Sequence, residues 1–128
     1  MNKIHELNIS NLVKLSGRVS HGEKLNEIYR NSDIYIIASY HEGFPRTILE
    51  SMASSTIVIA SSVGAIPIEL QNNHDMILIK PKSVEDIFLA VKKVISNSTL
   101  RKKIITNGFH LSKKKNIDSG VNELIKIF

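Results

Sequence analysis

His41-Glu42-Gly43-Phe44-Pro45-Arg46-Thr47-Ile48-Leu49-Glu50 is the stretch from which the rest of this chain is read. It predicts a turn and then a helix start between two carboxylates. The helix is expected to begin with Pro45, whose fixed φ suits the first helical position and whose missing N–H costs nothing there. The amides of Arg46 and Thr47 are then unpaired donors at the positive end of the helix dipole, where phosphate is favoured. Glu42 precedes that end and Glu50 lies more than one turn inside it. A diphosphate held at the amides would therefore meet carboxylates on both sides. Carboxylates are strong acceptors for paired sugar hydroxyls. The same pair is also what a dipole-favoured Glu followed by a solvated helical Glu would give.

Outward from this run, short apolar runs alternate with amphipathic segments. Val13 to Ser16, Ile34 to Ala38, Ile57 to Ala60 and Met76 to Ile79 read as buried strands. Ser20-His21-Gly22-Glu23 has the form of a capping box, followed by Leu25, Ile28 and Tyr29 on one helical face. The central helix is expected over Pro45 to Ser54, with Ile48, Leu49, Met52 and Ala53 facing inward. A short helix is expected over Ile66 to Gln71, with Pro67 in its first turn. Ser83-Val84-Glu85-Asp86 is a second cap, and Val84, Ile87, Phe88, Val91, Val94 and Ile95 follow the helical period. Another helix is expected from Thr99 to Asn107, stopping at Gly108, and a last one carries Val121, Leu124, Ile125 and Phe128 on one face.

Strands alternating with helices imply right-handed crossovers and a parallel sheet. The expectation is an α/β fold: a partial Rossmann-like domain with a parallel sheet of about four strands, flanking helices and a helical final third. No linker or repeat divides residues 1–128, which read as one domain. Ligands of open α/β sheets bind at the carboxyl ends of the strands. Gly17-Arg18-Val19, the loop after Ser39 and the loop Ser61 to Ala65 all lie at such ends.

Composition excludes several classes. With 128 residues, 42% apolar and 23% charged, the chain resembles an ordinary globular domain with a real core. Its apolar runs are too short to span a bilayer, and no secretory signal opens it. Cysteine is absent, so disulfides and thiolate catalysis are excluded and a reducing compartment fits. The formal charge is +5, with clusters at Arg101-Lys102-Lys103 and Lys113-Lys114-Lys115. These suit a solvated face or an anionic membrane surface. A nucleic-acid partner is not expected, because no zinc spacing, RNP motif or aromatic-interleaved basic stretch accompanies them. Asp33, Asp75, Asp86 and Asp118 are isolated, and the five histidines lack ligand-like spacing. No metal and no cofactor are expected.

The motif, with Ser39 before it and Ser51-Met52-Ala53-Ser54 after it, resembles the Glu-x7-Glu signature of retaining GT-B glycosyltransferases, particularly glycosyltransferase family 4. Leu15 to Val19, Leu25 to Tyr29, Ser32 to Tyr35, Ile57 to Ser62, Gly64 and Lys80-Pro81 continue the likeness in order. The resemblance implies a glycosyltransferase that moves a sugar from a nucleotide-sugar donor with retention, in surface polysaccharide or glycolipid synthesis. It makes Glu42 the catalytic candidate, contacting donor-sugar hydroxyls, and Glu50 the ribose ligand. Gly17, Arg18 and Val19 would lie beside the base, while Gly43, Phe44 and Pro45 bring backbone to the sugar and phosphates near Arg46 and Thr47.

The chain is similar to the later part of the donor-binding half, without the acceptor domain. The implied partners are a nucleoside diphosphate sugar and a separate acceptor-binding domain or subunit. The implied location is cytoplasmic, at the inner face of the membrane. A binding remnant or subunit without activity, or a GT-B-fold nucleotide-sugar epimerase, are the alternatives. Where the family usually has Gly, this chain has Ser55, Ala65 and Met76; where it has Pro, Ile57. A lost Gly matters where φ must be positive or a backbone must approach closely.

Overall fold

Ile57–Ser61 is buried at every residue, as a strand must be when both faces of its sheet are covered. It is the middle strand, β2, of a three-stranded parallel sheet. β1 (Ile34–Ile37) lies on one side and β3 (Ile77–Ile79) on the other. Register pairs Ile34 with Ile57 and Ile37 with Ala60, then Ile59 with Ile77 and Ser61 with Ile79. The computed structural model describes residues 2–115. Helices α1 (Asn2–Glu6) and α2 (Glu23–Arg30) precede the sheet, and α3 (Arg46–Ala53) and α4 (Ile66–Glu69) connect its strands. Helices α5 (Val84–Ser96) and α6 (Ser98–Lys114) follow it.

Alternation of side chains along β2 divides the core. Val58 and Ala60 face Ile48 and Met52 of α3 and Ile66 of α4. Ile57 and Ile59 face Ala90 and Val94 of α5 and Ile104 of α6. Helix α6 packs mainly on α3, and Gly108 makes this contact close. A Cβ there would stand 3.2 Å from Met52 Cγ and 3.2 Å from the Asp75 carbonyl.

The fold class follows the expectation, while several elements depart from it. Val13–Ser16 is not a strand: residues 13–18 are exposed and make no backbone hydrogen bond among the described residues. In the common doubly wound order 3-2-1-4-5-6, a strand that precedes a crossover helix into strand four is strand three, separated from its successor by two other strands. The described residues supply no strands between the two, so this segment has no ladder to join.

Ser20 does not cap α2. Gly22 is the N-cap at φ 103° without a side-chain cap, and Glu23 is already helical, so Ser20 stands too far back. Ala53 is exposed, and Ser51 is buried in its place, its hydroxyl donating to the Ile48 carbonyl at 2.9 Å. Helix α4 ends at Glu69, two residues before the expected Gln71. Helix α6 does not stop at Gly108 but runs through it to Lys114, because that glycine serves close packing rather than a left-handed cap. On α5 only part of the apolar stripe is covered: Val84 is 81% and Phe88 63% exposed. The Ser83 cap forms as read, its hydroxyl accepting from the Asp86 amide at 3.1 Å. The Lys80 amide and the Ser83 hydroxyl donate to the Asp86 carboxylate and hold it below its ordinary range. The expected helix carrying Val121 to Phe128 lies outside the described residues.

Candidate functional site

Pro45 fixes where α3 begins. Its φ of −71° would suit a helix, but its ψ of 123° is extended, so Pro45 is the N-cap and Arg46 the first helical residue. This corrects the expected first helical position by one residue and leaves its consequence intact. The amides of Arg46 and Thr47 have no backbone acceptor among the described residues, whereas that of Ile48 reaches the Pro45 carbonyl at 3.1 Å. Two free donors therefore stand at the positive end of the α3 dipole. The Tyr35 hydroxyl, from β1, donates to Thr47 Oγ1 at 2.9 Å and fixes that side chain beside the amides.

These donors open into a cleft of about 690 Å³ between α2 and α3. His21, Gly22, Leu25 and Asn26 form one wall, and Pro45, Arg46, Thr47 and Glu50 the other. Glu50 is half-buried, and its Oε2 is fully buried with no hydrogen-bond partner. A desolvated acceptor without a donor is costly, about 1–3 kcal/mol for an ordinary polar group, so any donor that reached this carboxylate would be favoured. Below it, Tyr29 packs edge-on against Tyr35 with centroids 5.5 Å apart. Burial, with Tyr35 and Glu50 adding to it, pushes the Tyr29 phenol up to about 12 and keeps it neutral.

Glu42 sits in the loop just before the cleft, where the Ser39 hydroxyl donates to its Oε1 at 2.6 Å. Gly43 and Phe44 belong to the same loop, and Lys115 at the end of α6 lies 5.8 Å from the Phe44 ring centroid. Lys115 also pairs with Glu69 of α4. The loop 61–65 comes against this segment from β2, with the Ala65 amide donating to the Gly43 carbonyl at 3.1 Å.

Of the three expected loops, two meet and one does not. Gly17, Arg18 and Val19 are not part of the cleft wall, and Gly17 and Arg18 are exposed. His21, Leu25 and Asn26, which the motif alone did not mark, line the cleft instead. The signal for them was the helix pattern of α2, since Leu25 and Asn26 precede buried Tyr29 by about one turn. Among the described residues, no group of three or more His, Cys, Asp or Glu side chains is placed to hold a metal ion.

A family model described as glycosyl transferases group 1 matches residues 1–111. The chain belongs to this glycosyl transferase family. It is 31% identical over 103 residues to an uncharacterized glycosyltransferase of Methanocaldococcus jannaschii, covering 80% of this chain and 26% of that protein. It is 33% identical over 106 residues to the GPI3 subunit of the Saccharomyces cerevisiae phosphatidylinositol N-acetylglucosaminyltransferase, covering 83% of this chain and 23% of that one. The chain thus spans about a quarter of the length of these relatives.

Among solved structures, the C-terminal domain of a glycosyl transferase group 1 family protein from Francisella tularensis superposes with a TM-score of 0.79 at 33% identity. That match covers 89% of this chain and 58% of the other. A glycosyltransferase from Rickettsia africae gives 0.87 at 26% identity, over 98% of this chain and 34% of its own. The fold of this family member is therefore that of the matching Rossmann-like domains in those proteins.

Proposed function

We infer that this chain is the donor-binding part of a retaining glycosyltransferase that takes a nucleoside diphosphate sugar. One observation carries the reading. In a member of a glycosyl transferase family, two residues with free helix amides and Glu50, whose Oε2 has no hydrogen-bond partner, line the same cleft. The diphosphate is assigned to the amides of Arg46 and Thr47, and the ribose hydroxyls to Glu50. The nucleoside lies along His21, Leu25 and Asn26, with Gly17, Arg18 and Val19 of the approaching segment as its outer neighbours. The sugar extends toward Glu42, Gly43 and Phe44, where Glu42 is the catalytic candidate. As the glycosidic bond to the diphosphate breaks, negative charge grows on the leaving oxygen. The preorganised amides, the α3 dipole and the Arg46 guanidinium stabilise it there, a role for which no metal is assigned.

Acceptor binding is assigned to a separate domain or subunit, and the process to surface polysaccharide or glycolipid synthesis. The sequence relationship to a protein named as a subunit of a glycolipid-forming transferase supports this. Residues 2–115 contain no helix long and apolar enough to cross a membrane. Lys102, Lys103, Lys113 and Lys114 are exposed on α6, which supports placement against an anionic lipid surface at the cytoplasmic face.

Thermal unfolding of the chain with UDP, GDP or ADP at millimolar concentration tests the donor site. One of these should raise Tm by several degrees, and Glu50→Ala should remove most of that rise. Absence of any shift with all three ends the donor-binding reading. If the epimerase alternative holds, a nucleotide sugar will be converted without any acceptor.

A further inference from the structure

Gly64 has φ +57°, a conformation that L side chains rarely adopt. A Cβ built there would stand 1.9 Å from the Glu42 carbonyl oxygen, 2.9 Å from its carbon and 2.9 Å from the Gly43 carbonyl oxygen. All three are backbone atoms, so no side chain can swing aside to make room. The next residue, Ala65, donates its amide to the Gly43 carbonyl at 3.1 Å. Two loops leaving adjacent strands thus meet backbone to backbone at the Glu42–Gly43 peptide.

Elsewhere in the loop, Phe44 packs partly buried against the core. The loop's one side-chain hydrogen bond at Glu42 comes from Ser39. Helix α3, in contrast, is fixed by Ile48 and Met52, which are 0% and 2% exposed. A displacement forced at residue 64 would therefore move Glu42 and Gly43 while leaving the Arg46 and Thr47 amides and Glu50 in place.

We propose that Gly64 is a positioning residue for the sugar half of the donor site, setting where Glu42 stands relative to a diphosphate anchored on α3. This rests on the donor-site reading above. Gly64 touches no ligand in this scheme and acts through the Glu42–Gly43 peptide alone. A role confined to general stability would lower binding of every part of the donor together. The positioning role separates them.

The test compares the full chain with Gly64→Ala, both alone and in a Ser55→Gly background. Ser55 holds φ +61° in the turn after α3, so glycine there relieves strain away from the site and offsets lost stability. Amide NMR without ligand should show resonances of residues 41–44 moving and those of residues 47–53 staying. Saturation-transfer NMR then uses UDP-, GDP- or ADP-glucose, whichever gives a signal with the parent chain. The ratio of glucose to ribose signal should fall at least threefold, while affinity for the matching nucleoside diphosphate stays within twofold.

An unchanged ratio, or an equal fall in both measurements, overturns the proposal. So does failure to fold even with Ser55→Gly, because the effect would then not be confined to the loop. If the parent chain gives no signal from either half of any donor, the donor-site reading fails and the positioning role falls with it. If the 41–44 resonances move but the ratio holds, the positioning role alone fails.

Discussion

Helix α3 and the loop leading into it each carry one carboxylate, and the two are held by different means. Glu50 stands on a helix whose inner face is inside the core, with Ser51 at 0% exposure beside it. Glu42 stands on a loop held by one hydroxyl, by contact with a neighbouring loop and by Phe44 against the core. The difference suits the two tasks proposed for these carboxylates. A diphosphate and ribose are common to many donors and need a rigid anchor. The sugar and the bond to be broken need a carboxylate whose position can be set separately.

The comparison can be broken most severely at Ile48. Ile48→Ala should cost about 2–5 kcal/mol by leaving a cavity, lowering Tm and every ligand effect together. Equilibrium urea unfolding measures the loss. A cost under 1 kcal/mol would mean that α3 is not the rigid partner. Tyr35→Phe acts more gently, removing the hydroxyl that donates to Thr47 at 2.9 Å. It should cost about 0.5–1.5 kcal/mol and weaken nucleoside diphosphate binding, with the sugar signal falling only in proportion. Ser39→Ala should have the smallest effect on the fold, within about 0.5 kcal/mol. It should nevertheless lower the sugar-to-ribose signal ratio, because Glu42 loses the hydroxyl that holds it. A ratio indistinguishable from the parent would remove Ser39 from the site.

Much of this arrangement was legible in the sequence, for identifiable reasons. Short β-branched runs between helical patterns placed β1, β2 and β3 to within a residue or two. The same reasoning misread Val13–Ser16, because local pattern reports a willingness to be a strand and not the presence of a neighbour. Pro45 announced a helix start through its ring, but only ψ distinguishes an N-cap from a first helical residue, and ψ is not written in the side chain.

Glycines were the least legible residues. Gly108 looks like a helix stop and is a close crossing with Met52. Gly64 looks like an ordinary loop glycine and has the Glu42 carbonyl against it. The converse holds at Ser55, where the resemblance led to expecting glycine: its φ of +61° shows that the left-handed turn persists with a side chain present. At Ala65 the φ of −81° demands nothing special, and Met76 fills core space with no exposure, so neither replacement strains the backbone.

Parallel pairing of Ile37 with Ala60 means that the two meeting loops leave the sheet at the same level. The path from Ile37 to Glu42 and the path from Ala60 to Gly64 therefore behave as two arms of one calliper. Adding or removing a residue in either arm alone would slide the Glu42 peptide past Gly64. Variation in length on one arm can be absorbed only by a matching change in the other.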